Sequence, residues 1–260
     1  MMGVTIGVGP LYIKAARVAA ACLQRHTGIK TQILTEEHLT AASLRHPAAL
    51  KLKIFDYVSA NTILYFDADW FCIREWTPQV LAGDRRVIAC HDFVTKADWP
   101  DQSYSASSEW FRGRAGHRFL NAIEGAVRGD YVDGIRAFAG VTLPHSTWFN
   151  SGMFIVNREW HAAWLQEAER IYREPHGHHD KYFEQPALLI ATERLKMRVA
   201  HLPRKYNVLV ASEQDWPVNM VGAHIKCSKQ TVLPYLISDI LQDRATPESV
   251  ASALFAGANT

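Results

Sequence analysis

The sequence predicts an α/β fold in which a mostly parallel central sheet is flanked by helices, as in Rossmann-like proteins. The opening segment alternates a strand at Val4–Val8, a helix at Tyr12–His26 and a strand at Thr31–Leu34, and this order favours parallel strands joined by right-handed crossovers. Thr62–Phe66 is a short run of apolar, β-branched and aromatic residues, which is typical of a strand buried on both faces. We therefore expect ligands to bind beyond the carboxyl ends of the strands of an open sheet.

The first helix carries clear local signals. Pro10 suits the first turn of a helix because the N–H that proline lacks would have no partner there, and Gly28 follows the last helical position. Between them, apolar residues recur at helical spacing, at Ile13, Ala16, Ala20 and Leu23. A second helix, around Ala48–Val58, leads into the central strand at Thr62–Phe66.

The rest of the chain continues the alternation after one interruption. Strands are predicted at Arg86–His91, Phe149–Asn157, Met197–Leu202 and Val208–Ala211, and helices at Arg158–Arg173, around Glu184–Ala191 and in the tail after Pro234. Residues 94–148 lack strand alternation and carry one predicted helix, at His117–Arg128; long segments of this kind are typically lids or binding loops. We therefore expect one domain at residues 1–232, with an insert at about 94–148, and a helical tail at 233–260.

Composition and charge exclude several classes of protein. The 260 residues, 48% of them apolar, can bury a full core. The formal net charge is only +2, which does not indicate a nucleic-acid partner. The four cysteines are widely spaced, as in reduced proteins, and no apolar run approaches the roughly 18–20 residues of a membrane-spanning helix. We expect a cytoplasmic protein with no transmembrane segment and no secretion signal.

Two acids, Asp67 and Asp69, directly follow the central strand. Side chains two residues apart on an extended chain point the same way, so the two carboxylates can converge on one hard cation, or on a cation and the ribose of a nucleotide. A Mg²⁺ or Mn²⁺ ion held in this way completes its shell with water and substrate phosphates. The alternative is a solvated turn after a strand, because two acids at this spacing are common.

A series of short blocks occurs in a distinctive order along residues 4–230. The blocks are Tyr12-Ile-Lys-Ala-Ala, Lys51-Leu-Lys-Ile-Phe, Asp67-Ala68-Asp69, Ile88-Ala-Cys-His-Asp92, Phe149-Asn150-Ser151-Gly152, Glu184-Gln185, Leu202-Pro203 with Tyr206-Asn207, and His224. Together they resemble the glycogenin and lipopolysaccharide-galactosyltransferase group, which are retaining glycosyltransferases of family 8 with the GT-A fold. The ordered set is far more specific than any one of its blocks.

The resemblance implies a metal-dependent transferase. Such an enzyme moves a sugar from a nucleotide-diphosphate donor, expected here to be a UDP-sugar, to an acceptor hydroxyl with retention of configuration. Asp67, Asp69 and His224 match the family's metal ligands, so Mn²⁺ or Mg²⁺ is the implied cofactor. Lys51 matches the basic residue that approaches the donor diphosphate.

The resemblance also implies further donor contacts. Tyr12 is expected near the nucleotide base, and Ala68 belongs to the donor-binding segment between the two acids. The sequence departs from the family at Gly7–Pro10, where the family has polar residues that read uracil. After the metal-binding histidine, the family's pattern is replaced by Ile-Lys-Cys-Ser-Lys, so the β-phosphate contact is open between Lys226 and Lys229.

Four residues are implied on the sugar side of the site: Asp92, Asn150, Glu184 and Gln185. They would hold the hydroxyls of the donor sugar or line the face where the acceptor attacks. For Asn150 the alternative is a strand-end residue that bonds its own backbone. For Glu184 it is a solvated acid in the first turn of a helix. No residue of this sequence stands out as an enzyme nucleophile.

Two other features are less specific. The histidine-rich segment His176–Asp180 could bind zinc, but adjacent positions of one loop rarely preorganise a tetrahedral shell, and we favour a loop near the acceptor. Several tryptophans could stack on sugars or bases, although core packing is the default for each, namely Trp70, Trp76, Trp99 and Trp110.

Other functions remain open from the sequence. A phosphohydrolase of the haloacid dehalogenase class also uses two acids after an apolar strand, but there the motif usually lies on the first strand, and here it lies on a later one. A non-catalytic nucleotide-sugar-binding module would keep the same pocket. The acceptor is open between a glycan, a lipid-linked sugar, a protein, a small metabolite and a modified nucleic-acid base, and the sequence predicts no oligomeric state.

Overall fold

The computed structural model describes residues 1–44, 46–90, 147, 149–174, 184–210, 219–225 and 233–256. Its strands are β1 (Met2–Ile6), β2 (Thr31–Leu34), β3 (Thr62–Phe66), β4 (Trp70–Cys72), β5 (Val87–Cys90), β6 (Asn150–Asn157), β7 (Val199–Leu202), β8 (Val208–Val210) and β9 (Gly222–Ile225). Its α-helices are α1 (Pro10–Thr27), α2 (Glu36–Ala41), α3 (Ile54–Tyr57), α4 (Arg158–Arg173), α5 (Glu184–Arg194), α6 (Pro234–Leu241) and α7 (Pro247–Ala256). Short 3₁₀ helices occupy Pro47–Lys53, Pro78–Leu81 and Arg204–Tyr206.

Within the described ranges, six strands form the central sheet in the order β2-β1-β3-β6-β5-β7. β1 pairs in parallel with β2 and β3, and β5 pairs in parallel with β7, whereas β6 runs antiparallel to both β3 and β5. The other strands therefore all point the same way, and the predicted α/β fold with a mostly parallel central sheet flanked by helices is confirmed. The carboxyl end of β3 lies beside the first residues of β6, because Phe66 pairs with Met153.

The residues of β3 alternate between two hydrophobic cores. Ile63 and Tyr65 belong to a core formed with the 3₁₀ helix Pro47–Lys53, α4 and α5. Leu64 and Phe66 belong to a second core formed with α1, β4, β8, β9, α6 and α7. Every residue of β3 is buried, which explains why the strand has no polar face in the sequence.

Helix α4 fixes the position of α5. It is amphipathic, as predicted, and buries His161, Trp164, Leu165, Ala168 and Ile171. The indole N–H of Trp164 donates to the carbonyl oxygen of Leu188 (3.2 Å) and to Oγ1 of Thr192 (2.9 Å), both on α5. A buried donor without a partner would cost about 1–3 kcal/mol. These hydrogen bonds therefore hold α5, which begins at Glu184, against α4.

A second sheet, in the order β4-β9-β8, is absent from the sequence-based expectations. β4 pairs antiparallel with β9, and β8 pairs in parallel with β9. With only three residues, Trp70–Cys72 is too short for an alternating pattern to be recognised. The pairing of Trp70 with His224 brings β9 back to the end of β3.

Some predicted bounds differ from the structure. The strand predicted at Val4–Val8 is Met2–Ile6, because its pairing with β2 ends at Ile6, opposite Leu34. The helix predicted at Ala48–Val58 is a 3₁₀ helix followed by the short α3. β2, β3 and α4 have the predicted bounds.

The tail forms α6 and α7, which pack against α1 and complete the second core with Leu236, Ile237, Ile240, Val250 and Leu254. The described cysteines, Cys22, Cys72 and Cys90, are free, and burial raises the pKa of each thiol to about 12. None of the helices in the described ranges combines the length and apolar character that crossing a membrane requires. The helix predicted at His117–Arg128 and the segment His176–Asp180 lie outside the described residues.

Candidate active site

The chain turns sharply where β3 ends. The N–H of Asp67 donates to the carbonyl of Gly152 (2.8 Å), which continues the contact between β3 and β6, and the N–H of Trp70 donates to the carbonyl of Asp67 (3.0 Å). The carbonyl of Asp69 accepts a hydrogen bond from the N–H of Ile225 on β9 (2.7 Å). The turn therefore holds both acids where the two sheets meet.

His224 reaches the two acids from the second sheet. Its Nε2 lies 3.1 Å from Oδ1 of Asp69 and 3.9 Å from Oδ2 of Asp67. One donor atom from each of these residues lies within 4.8 Å of the other two. The structure thus brings together the three side chains that the resemblance implies as metal ligands.

The three side chains fit a divalent ion in donor chemistry and in spacing. Two carboxylates and one imidazole suit an ion such as Mn²⁺. Ligand atoms about 2.1 Å from an ion lie about 3 Å apart in adjacent octahedral positions, and the separation of Asp69 and His224 matches this. Burial lowers the pKa of His224, but Asp69 and Asp67 raise it above its ordinary value. A bound ion would therefore replace a proton that the carboxylates favour on the imidazole.

Gly152 on β6 leaves the space that His224 occupies. A Cβ atom at this position would lie 2.6 Å from Cε1 and 3.0 Å from Nδ1 of His224, and 2.8 Å from Oδ1 of Asn150. Van der Waals contacts between carbon atoms are optimal at about 3.5–4.0 Å. Any side chain at residue 152 would therefore displace the imidazole or the amide.

Oδ1 of Asp67, the oxygen that does not face His224, accepts hydrogen bonds from two buried side chains. The Tyr65 hydroxyl donates to Oδ1 of Asp67 at 2.6 Å, and Nζ of Lys51 lies 3.4 Å from the same atom. Burial raises the pKa of Asp67, but Lys51, His224 and Tyr65 together bring it below its ordinary value, so this residue is a carboxylate. Burial and Asp67 raise the pKa of Tyr65 well above its ordinary value, so the phenol remains a donor.

Lys51 lies beneath the acids and is 1% exposed. Its Nζ is 3.5 Å from Oε1 of Glu184 and donates to Oγ of Ser151 (3.2 Å). Burial lowers the pKa of Lys51, but Asp67 and Glu184 raise it above its ordinary value. The side chain is therefore an ammonium between two carboxylates, where it offsets their charge at the base of the site.

Two residues at the start of α5 face the same cluster. Glu184 is 6% exposed, and its Oε2 has no hydrogen-bond partner among the described residues. Burial raises the pKa of Glu184 above its ordinary value, although Lys51 opposes this. Glu184 is therefore not the solvated helix acid of the alternative interpretation. Oε1 of Gln185 accepts from the N–H (3.0 Å) and the hydroxyl (3.1 Å) of Ser151.

Asn150 joins this group through its amide oxygen. Oδ1 accepts from the N–H of Gly152 (2.8 Å) and from Nδ2 of Asn207 (3.0 Å). The bond to Gly152 is the local backbone contact that the alternative interpretation predicts. The bond to Asn207, which follows the 3₁₀ helix Arg204–Tyr206, ties the start of β6 to a segment distant in sequence.

The other residues singled out from the sequence lie in different surroundings. Ala68 is buried between the two acids, and Tyr12 in the first turn of α1 is 40% exposed. Among the tryptophans, Trp70 is buried in the second core and Trp76 packs on the ring of Tyr206. The remaining predicted residues, Asp92, Trp99, Trp110, Lys226 and Lys229, lie outside the described residues.

Two residues that contact the site, Tyr65 and Ser151, have no assigned role among the sequence-based predictions. Tyr65 lies on β3 two positions before Asp67, which directly follows the strand, and this spacing in extended chain places both side chains on one face. Ser151 lies inside the predicted block around Asn150, but its contacts to Lys51 and Gln185 depend on tertiary packing. The position of Tyr65 could have been predicted, whereas that of Ser151 could not.

Comparison with known proteins gives matches in structure only. No protein-family model matches the sequence, and no curated protein matches it. The galactosyltransferase LgtC, solved in complex with donor and acceptor sugar analogues, matches with a TM-score of 0.54 at 12% identity, over 98% of this chain and 100% of LgtC.

Other glycosyltransferases match similarly. The bifunctional WbbM has a TM-score of 0.55 at 12% identity, over 100% of this chain and 52% of WbbM. GlyE of Streptococcus pneumoniae has a TM-score of 0.51 at 13% identity, over 98% of this chain and 63% of GlyE. At these identities the likeness shows the fold alone, and the predicted GT-A architecture is confirmed.

Proposed function

We propose that this protein is a metal-dependent glycosyltransferase, which moves a sugar from a nucleotide-diphosphate donor to an acceptor hydroxyl. The observation that supports this most strongly is the cluster of Asp67, Asp69 and His224 at the carboxyl end of β3. It lies in a fold shared with several solved glycosyltransferases. Because a fold alone does not determine function, the proposal depends on the chemistry of this cluster.

In the proposed reaction, Asp67, Asp69 and His224 hold Mn²⁺ or Mg²⁺. When bound, such an ion stabilises the negative charge that accumulates on the departing diphosphate. Lys51 offsets the charge of Asp67 from below, and either Lys226 or Lys229 contacts the β-phosphate. The family resemblance assigns Lys51 to the diphosphate as well, and this assignment is part of the proposal.

The sugar of the donor would contact Asn150, Glu184, Gln185 and Asp92. Glu184 supports this assignment because it is buried and has one oxygen without a hydrogen-bond partner among the described residues. LgtC has also been solved with a glutamine-to-glutamate change in its active site, which is a reason to test Gln185 in the same way. Retention of configuration and membership of family 8 belong to this part of the proposal.

The remaining assignments concern the donor base, the acceptor and the location. We assign Tyr12 to the base of a UDP-sugar, with Ala68 in the donor-binding segment, and residues 94–148 to the acceptor. The acceptor hydroxyl belongs to a glycan, a lipid-linked sugar, a protein, a small metabolite or a modified nucleic-acid base. The location we propose is the cytoplasm, which fits the free and buried state of the described cysteines.

The proposal is tested by incubating the purified protein with a panel of nucleotide sugars, with and without Mn²⁺, and measuring release of the nucleoside diphosphate. Without an acceptor, water takes its place, so slow hydrolysis of one donor that depends on Mn²⁺ is the expected result. Release of phosphate from simple phosphate esters would instead favour the phosphohydrolase. Saturable binding of a nucleotide sugar without turnover would favour the non-catalytic binding module.

A further inference from the structure

The hydroxyl of Tyr65 is the nearest described donor to Asp67. It donates to Oδ1 at 2.6 Å, and Nζ of Lys51 lies 3.4 Å from the same oxygen. The other oxygen, Oδ2, faces Nε2 of His224 at 3.9 Å. The two oxygens of this carboxylate therefore have different surroundings. Oδ1 is hydrogen-bonded to Tyr65 and Lys51, whereas Oδ2 is directed at His224 and the proposed ion site.

The ring of Tyr65 is held on several sides. It is 1% exposed, and it lies opposite Phe154 across the β3–β6 pair. The two rings stack with their centroids 4.8 Å apart at 25°, and Nζ of Lys51 lies 5.1 Å from the centroid of the tyrosine ring. The phenol is therefore fixed with its hydroxyl directed at Asp67.

We propose that Tyr65 is a positioning residue, which restricts Asp67 to binding the ion through Oδ2 alone and so disfavours Ca²⁺ at this site. The inference rests on the proposed metal site. For both oxygens of Asp67 to bind an ion, the carboxylate would have to rotate and leave a buried phenol without its acceptor. A residue that hydrogen-bonds to a metal ligand fixes the orientation of that ligand and thereby changes its affinity for the ion.

The choice of ion follows from coordination chemistry. Ca²⁺ takes about six to eight oxygen ligands and often binds both oxygens of a carboxylate, whereas smaller ions require near-octahedral geometry at about 2.1 Å. A carboxylate restricted to one oxygen, together with an imidazole nitrogen from His224, supplies few of the ligands that Ca²⁺ needs. The same set suits Mn²⁺, which accepts both oxygen and nitrogen.

The test compares Tyr65→Phe with Tyr57→Phe by calorimetric titration of Mn²⁺ and of Ca²⁺. Tyr57 is a matched control because its partly buried hydroxyl donates to the carbonyl of His38 (3.3 Å), on the periphery of the first core. Loss of the Tyr65 hydroxyl should weaken Mn²⁺ binding about 10-fold to 100-fold and weaken Ca²⁺ binding much less. The ratio of the two affinities should stay at the wild-type value in Tyr57→Phe.

If Tyr65→Phe leaves the ratio of the Mn²⁺ and Ca²⁺ affinities at the wild-type value, whether both affinities are kept or both fall equally, the inference is overturned. A purely structural role would not discriminate between the two ions. Infrared difference spectra of the wild-type protein, with Asp67→Asn as the reference, provide a second test that needs no folded Tyr65 variant. The carboxylate stretches of Asp67 with Mn²⁺ should show one-oxygen coordination, and a two-oxygen pattern would contradict it. If the wild-type protein binds neither ion, the proposed function fails; if it binds Mn²⁺ and only the Tyr65 results disagree, this inference alone fails.

Discussion

At the scale of single residues, the site depends on a buried lysine that lies between a buried acid, Glu184, and a partly buried one, Asp67. Nζ of Lys51 lies 3.4 Å from Asp67 and 3.5 Å from Glu184. Removing one partner of a buried pair typically costs about 3–5 kcal/mol, because the other charge is left uncompensated. Lys51 therefore offsets the charge of the partly buried Asp67 at Oδ1, while Oδ2 of the same carboxylate is directed at His224.

A single methyl group at Gly152 should disturb this arrangement. The added Cβ of Gly152→Ala would lie 2.6 Å from the ring of His224, so the imidazole must shift from its position beside the two acids. We expect Mn²⁺ to bind about 10-fold more weakly or worse, and the free energy of unfolding to fall by about 1–3 kcal/mol, as for other overpacked sites. Titration calorimetry and denaturant unfolding measure these two effects.

Gly83→Ala is the matched control. An added Cβ at Gly83 meets nothing within 4 Å, so both the Mn²⁺ affinity and the unfolding free energy should remain close to wild type. Wild-type Mn²⁺ affinity in Gly152→Ala would mean that His224 does not contribute to metal binding from the position it has in the structure.

At the scale of elements, the strands and helices with a clear local sequence pattern were predicted, and the pairings between distant segments were not. β3 was predictable because its apolar run is long enough to recognise, and α4 because its buried residues recur at helical spacing. The short β4 and its pairing with β9 were not, since three residues carry too little pattern and their partners are distant in sequence. The antiparallel direction of β6 could not be predicted either, because it appears only in the pairing of β6 with β3 and β5, which are distant in sequence.

The junction between β6 and α4 should make stability depend on pH. His161 is completely buried; its Nδ1 accepts from the N–H of Asn157 (2.8 Å), and its Nε2 lies 3.1 Å from the carbonyl of Arg85, to which a neutral ring donates. A proton on Nδ1 would face another donor. Burial accordingly lowers the pKa of His161 below its ordinary value of 6.5.

The sign of the effect follows from this direction. On acidification the unfolded chain takes up a proton near pH 6.5, while the folded chain resists until the lower folded pKa is reached. The stabilisation is therefore complete above about pH 6.5 and declines below it, by up to about 1.4 kcal/mol per pH unit. His161→Gln should remove this slope from urea unfolding measured between pH 7.5 and 5. If wild type and variant lose stability in parallel, His161 does not titrate as the structure indicates.

At the scale of the whole molecule, the candidate site combines residues that follow the central sheet with His224 of the second sheet. Asp67 and Asp69 could be predicted as a pair from the sequence alone, because they share one strand end. His224 could be predicted as a metal ligand only from the order of blocks that resembles a known family, since a single histidine carries no pattern of its own. The structure brings these three side chains together, with Lys51 and Glu184 beneath them. The fold matches glycosyltransferases at 12–13% identity, so the overall architecture is shared although few residues are identical.

Whether the metal cluster drives sugar transfer is tested by the Mn²⁺-stimulated rate of donor cleavage in Asp69→Asn, compared with Asp239→Asn. Asp239 lies on α6 and forms a surface ion pair with Arg244 (2.7 Å). Its substitution removes one negative charge, as Asp69→Asn does, but at a site away from the cluster. We expect Asp69→Asn to lower the stimulated rate about 100-fold or more and Asp239→Asn to retain it. Full Mn²⁺ stimulation in Asp69→Asn would contradict the claim that this cluster holds the ion on which sugar transfer depends.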